Sequence, residues 1–95
     1  MRKVIAQRTY EVIDETSETI TFQVTMPKKV ADGYVSTVMV LTMGIRREYE
    51  SMLAPDSFLA VESALKLARS LIERMHAQNQ AKTILCNGER SLGWL

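Results

Sequence analysis

Groups that carry out chemistry are scarce in this chain. Its one cysteine, Cys86, has no partner for an internal disulfide and no CxxC neighbour, so neither a disulfide framework nor a dithiol redox pair can form. With a single histidine, His76, a multi-histidine metal centre is excluded as well. The four glycines fall in no GxGxxG or P-loop spacing, which removes the usual phosphate cradles. Apolar residues never run on for the ~18 positions a membrane helix needs, and no basic, apolar, small-residue leader opens the chain, so a soluble cytoplasmic protein is expected, with no membrane partner. An excess of either charge is missing too: 12 Lys and Arg face 11 Asp and Glu, for a net charge of +1. So weak a field argues against nucleic acid as a partner. The basic pairs Arg2-Lys3, Lys28-Lys29 and Arg46-Arg47 also lack the interleaved exposed rings on which single strands stack.

What is present is a folded domain. A hydrophobic fraction of 46% over 95 residues excludes a disordered chain and suits a single domain, residues 1–95, with one core. Ile20, Phe22, Val24 and Met26 alternate with Thr19, Thr21, Gln23 and Thr25, which predicts a strand over about 18–26 with one dry and one wet face. Val4 to Ile13 is also rich in strand formers, and Asp14-Glu15-Thr16-Ser17 is turn-compatible, so strands over 4–13 and 18–26 should form an antiparallel hairpin. Residues 34–43 are apolar on both faces, as in a central strand, and Gly44 leads to a more polar strand over about 46–53 whose charges suit an edge.

The period then changes from 2 to 3.6. Phe58, Val61, Leu65, Ala68, Ile72 and Met75 recur every three or four residues, with Ala64 and Leu71 beside them, which predicts a helix over about 57–78. Pro55 keeps Ala54 out of the helical region, and Asp56 or Ser57 can cap the first turn. Residues 79–95 form a tail in which Lys82 to Cys86 offers a short final strand and Asn87-Gly88 a turn. The expected architecture is α+β: an antiparallel sheet of about four strands with one long helix across one face. Because the third strand is apolar on both sides, a second apolar surface is expected, used for self-association or for a protein partner.

Candidate site residues are few, and no catalytic, cofactor-binding or metal-binding residue can be assigned. Arg8 lies on an otherwise apolar strand face and needs an anion or an acceptor if buried; with Tyr10 and Tyr49 it could line a polar pocket between helix and sheet. Glu48 and Glu50 share one side of a strand and offer an acidic strip to a partner, and Trp94 is a candidate anchor. Cys86 reads as a small packed side chain and His76 as a structural residue near a helix C-terminus. The methionines Met26, Met39, Met43, Met52 and Met75 read as core filler, or as an adaptable patch where exposed.

The order of strands, Gly44, the helix opening Asp56-Ser57-x-x-Ala60 with Ala64-Leu65 inside it, and the tail Leu92-Gly93-Trp94 resembles a group of short bacterial α+β domains of unknown function. The resemblance covers nearly the whole chain, with Ala54-Pro55 standing where a glycine and an aliphatic residue are usual. It implies the fold and a bacterial or phage origin, and carries no activity with it. Two functions fit the residues: a small non-catalytic interaction protein of the immunity or antitoxin kind, or a ligand-binding or enzymatic domain with its pocket near Arg8.

Overall fold

The computed structural model describes residues 3–86 and 89–90. Four long strands come first: β1 (Val4–Ile13), β2 (Ser17–Thr25), β4 (Gly33–Thr42) and β5 (Ile45–Ala54), with the short β3 (Lys28–Val30) between β2 and β4. The helix α1 (Ser57–Gln78) follows, then β6 (Thr83–Cys86) and β7 (Glu89–Arg90). Among the described residues all pair antiparallel in one seven-stranded sheet, where the sequence predicts about four strands and a short final one over Lys82 to Cys86. β3 continues β2 along the same side of β4, so the order across the sheet is β7, β6, β1, β2 with β3, β4, β5.

Neighbouring strands are joined by tight local chemistry. Met43 and Gly44, both at positive φ (55° and 79°), make the two-residue turn whose twist matches a right-handed hairpin, and so deliver β5 beside β4. Between β2 and β3 the register slips, since Val24 opposes Val38 but Lys28 opposes Val35. Pro27 cannot donate to a ladder there. Side chains replace the missing bonds: buried Ser36 donates its hydroxyl to the Thr25 carbonyl at 2.8 Å, and the Thr37 amide donates to Thr25 Oγ1 at 2.9 Å. Gly33 sits where β4 meets the end of β5. A methyl group added to it would run into the carbonyl oxygen of Ala54.

The helix begins at Asp56, whose Oδ1 accepts the Leu59 amide at 2.8 Å, and ends at Asn79. Its buried seam is Ala60, Ala64, Ala68, Ile72 and Met75. Ala64 and Ala68 pack on Val24 and Val38, while Ile72 and Met75 join Tyr10, Val12, Phe22, Val40 and Ile84. The expected stripe is therefore corrected. Phe58 is 74% exposed and Leu65 46% exposed, although both share the helical period of the core residues. The chain has more apolar residues on this helix than one face can bury, and the alanine row wins because small side chains let the helix backbone approach the β-branched floor closely.

β4 is interior, as its two apolar faces predicted, flanked by β2 and β3 on one side and β5 on the other. Among the described residues nothing packs over the face away from α1, and there Val35, Met39 and Leu41 are half-buried while Tyr49 and Leu53 are exposed. Among the described residues no helix is long and apolar enough to cross a membrane.

Candidate functional site

The direction of the backbone groups identifies an open edge. Thr19 accepts the Met43 amide through its carbonyl, so odd residues of β2 turn their backbone groups toward β4 and even ones toward β1. On β1 the complementary set, Arg8, Tyr10 and Val12, faces β2. Gln7, Thr9, Glu11 and Ile13 therefore present amide and carbonyl outward. β6 takes up Glu11 and Ile13, opposite Leu85 and Thr83, and its last described pair is Cys86 with Tyr10. Because Arg90 pairs with Leu85, β7 runs away from Thr9. Among the described residues nothing pairs with the outer edge of β1 at Gln7 and Thr9.

Beside this edge, on the helix face of the sheet, lies a groove of about 250 Å³. Phe22 and Val24 form its floor, Leu65, Ala68 and Ile72 its helix wall, and Ala6 and Arg8 its rim, with Arg69 opposite. It exists because α1 packs over β2, β4 and β5 along much of its length and leaves this half of β1 uncovered. Among the described residues two guanidinium groups and no carboxylate line it. Arg8 donates to the Tyr10 hydroxyl at a long 3.5 Å, and that hydrogen bond, then its electrostatic interaction with Tyr10, raises its pKa above the ordinary arginine value; burial opposes the rise and Cys86 adds to it. Arg69 pairs with Glu73 one turn on, at 3.9 Å between two exposed side chains. Continuing the helix wall toward its N-terminus, Phe58, Val61, Glu62 and Leu65 line a second hollow with Pro27.

Of the residues singled out from the sequence, Arg8 and Tyr10 come together. Tyr10 is 1% exposed, edge-on to Phe22 (6.0 Å between centroids) and to the ring of His76 (5.2 Å), so it is a core residue whose hydroxyl meets the Arg8 guanidinium. Tyr49 does not join them. It pairs with Met39 on β5, which puts it on the face away from the helix, 55% exposed, with the Arg46 guanidinium 4.9 Å above its ring centroid. Glu48 and Glu50 oppose Val40 and Val38, and so stand together on the helix face, both exposed, at the far edge from β1. Trp94 lies outside the described residues, as does the Asn87-Gly88 turn. His76 is held by its Nδ1 contact with the Ile72 carbonyl at 3.0 Å, and Cys86 is a half-buried free thiol beside Tyr10.

Gln7, Thr9, Leu65 and Arg69 were missed as site residues. Leu65 shares the apolar period of the helix and Arg69 lies outside it; only the orientation set by the alanine seam brings both to the groove. The opposite face of the sheet holds a larger hollow of about 890 Å³, bordered by Lys3, Lys28 and Arg46 with Thr25, Thr37 and Ser51. Met26 and Met43 are exposed, Met75 is core, and Met39 and Met52 are intermediate. Among the described residues no cluster of His, Cys, Asp and Glu could hold a metal ion. Compared with known proteins, the chain matches no family model, no curated protein and no solved structure.

Proposed function

We propose that this chain is a small non-catalytic protein-interaction domain that receives an extended segment of a partner along the outer edge of β1. The observation that carries the reading is the pair of outward-facing backbone groups at Gln7 and Thr9 beside an apolar groove. A sheet edge supplies main-chain hydrogen bonds, and a neighbouring groove supplies side-chain selection; together they are the parts needed for strand addition. The opposite edge is less suited. β5 carries Arg46, Arg47, Glu48 and Glu50, the kind of charged edge that discourages pairing. The small size and the lack of assigned reacting groups suit an immunity- or antitoxin-like inhibitor, which covers its partner's working surface without chemistry.

The test is affinity capture with two baits, the native chain and Gln7→Pro. Proline at an edge position whose amide faces outward is tolerated by the strand but removes one donor to an incoming one. One stoichiometric partner held by the native bait and lost from Gln7→Pro, at unchanged thermal stability, is the expected result. Equal retention by both baits would refute strand addition. The groove alone, with Arg8 and Arg69 and no carboxylate, also has the make-up of a site for a small carboxylate ligand. Such a ligand would bind Gln7→Pro and the native chain alike, since both guanidinium groups remain.

A further inference from the structure

The charge and shape of the groove say more about the occupant than the edge does. This step rests on the strand-addition reading. We infer that the received segment carries an acidic residue two positions before an aliphatic one, with the carboxylate between Arg8 and Arg69 and the aliphatic side chain on Phe22, Val24 and Leu65. The spacing follows from the strand. Gln7 and Thr9 offer the backbone groups, so residues of the added strand opposite Ala6 and Arg8 point to the helix face, and successive side chains on that face are two residues apart. Opposite Arg8 the walls are the two guanidinium groups, whose planar forks match a carboxylate. Opposite Ala6, where the rim side chain is a single methyl group, the space over Val24 and beside Leu65 is apolar. In an antiparallel addition the acidic residue therefore comes first.

A second copy of this chain is a worse fit than a partner segment. Two β1 edges laid together would set Arg8 and Arg69 of one copy near those of the other. The strand β5 does contain Glu50-Ser51-Met52, which has the required pattern. Placing Glu50 opposite Arg8 in an antiparallel ladder, however, sets Glu48 opposite Tyr10, and the rest of β5 toward Ile45 then runs into β6, which holds the edge from Tyr10 onward. Among the described residues, a segment that leaves the sheet opposite Thr9 meets no such block.

The test uses two fluorescein-labelled peptides, TETLTV and TKTLTV, titrated with the full chain and read by fluorescence anisotropy, with light scattering of the protein alone. TETLTV should bind at least about tenfold more tightly than TKTLTV, as expected when a charge-assisted hydrogen bond is exchanged for a like charge. Arg8→Glu should abolish that preference, and Arg69→Glu, the second variant should the first fail to fold, should do the same. Equal affinity for the two peptides, no binding of either, or a preference indifferent to both arginines overturns the inference. So would native oligomers that grow with concentration and disappear in Glu50→Lys, which would make the occupant a second copy. The capture experiment with Gln7→Pro is independent of these outcomes, so loss of the acidic motif leaves strand addition to stand or fall by itself.

Discussion

The rotation of α1 can be tested by two truncations that the sequence pattern treats as equals. Phe58 and Ile72 both sit on the apolar period of the helix, yet Ile72 is 5% exposed in the cluster around Tyr10 and Phe58 is 74% exposed. Ile72→Ala removes buried carbons from between Phe22, Val40 and Ile84, and such truncations cost about 2–5 kcal/mol. For Phe58 only a quarter of the side chain is withdrawn from water. Scaling the roughly 1.5–3 kcal/mol of a fully buried large apolar side chain gives about 0.4–0.8 kcal/mol. Equilibrium urea unfolding separates the two cases. With a slope of roughly 1–3 kcal/mol per molar for a small domain, Ile72→Ala should lower the midpoint by about 1 M or more, and Phe58→Ala by a few tenths, both at unchanged slope. A loss for Phe58→Ala equal to that for Ile72→Ala would show that the helix sits on its Phe58 stripe, and the groove wall at Leu65 would vanish with it.

Two further substitutions probe the joints that place the site. Gly33→Ala should destabilise by roughly 1–3 kcal/mol in the same urea assay, because φ is +146° and the new methyl group meets the Ala54 carbonyl; no loss would mean that β4 and β5 are not held so closely there. Asp56→Ala should cost about 1 kcal/mol and lower helical signal in the first turn by circular dichroism, since it removes the acceptor of the Leu59 amide.

Much of the frame could be read from residues. Thr and Ile alternation placed β2, Asp14 to Ser17 placed its hairpin with β1, and Pro55 with Asp56 placed the start of α1. β3 carried no such signal: Lys28, Lys29 and Val30 are exposed, and they are strand only because β4 is longer than β2 can cover. The open edge was equally out of reach, since it depends on how far β6 extends along β1. Within the site, Arg8 stood out as a cation on an apolar strand face and proved to be on a groove rim. Tyr49 was grouped with it without knowledge of strand order; once β5 pairs with β4, period-2 alternation sends it to the other face. Arg69 carries no signal of its own in the sequence; the alanine seam, by fixing which way the helix turns, brings it to the groove.

The hairpin ladders from β1 to β5 each close over short loops, whereas the pairing of Glu11 with Leu85 spans most of the chain and rests on a four-residue strand. Bringing such distant segments together carries a large loop-closure cost, and the loop it closes contains α1. β6 is therefore expected to dock last during folding and to let go first when the native state opens locally. Each such opening would lengthen the free side of β1 from Thr9 through Ile13, so the extent of this edge is governed by a local folding equilibrium as well as by the static geometry of the sheet.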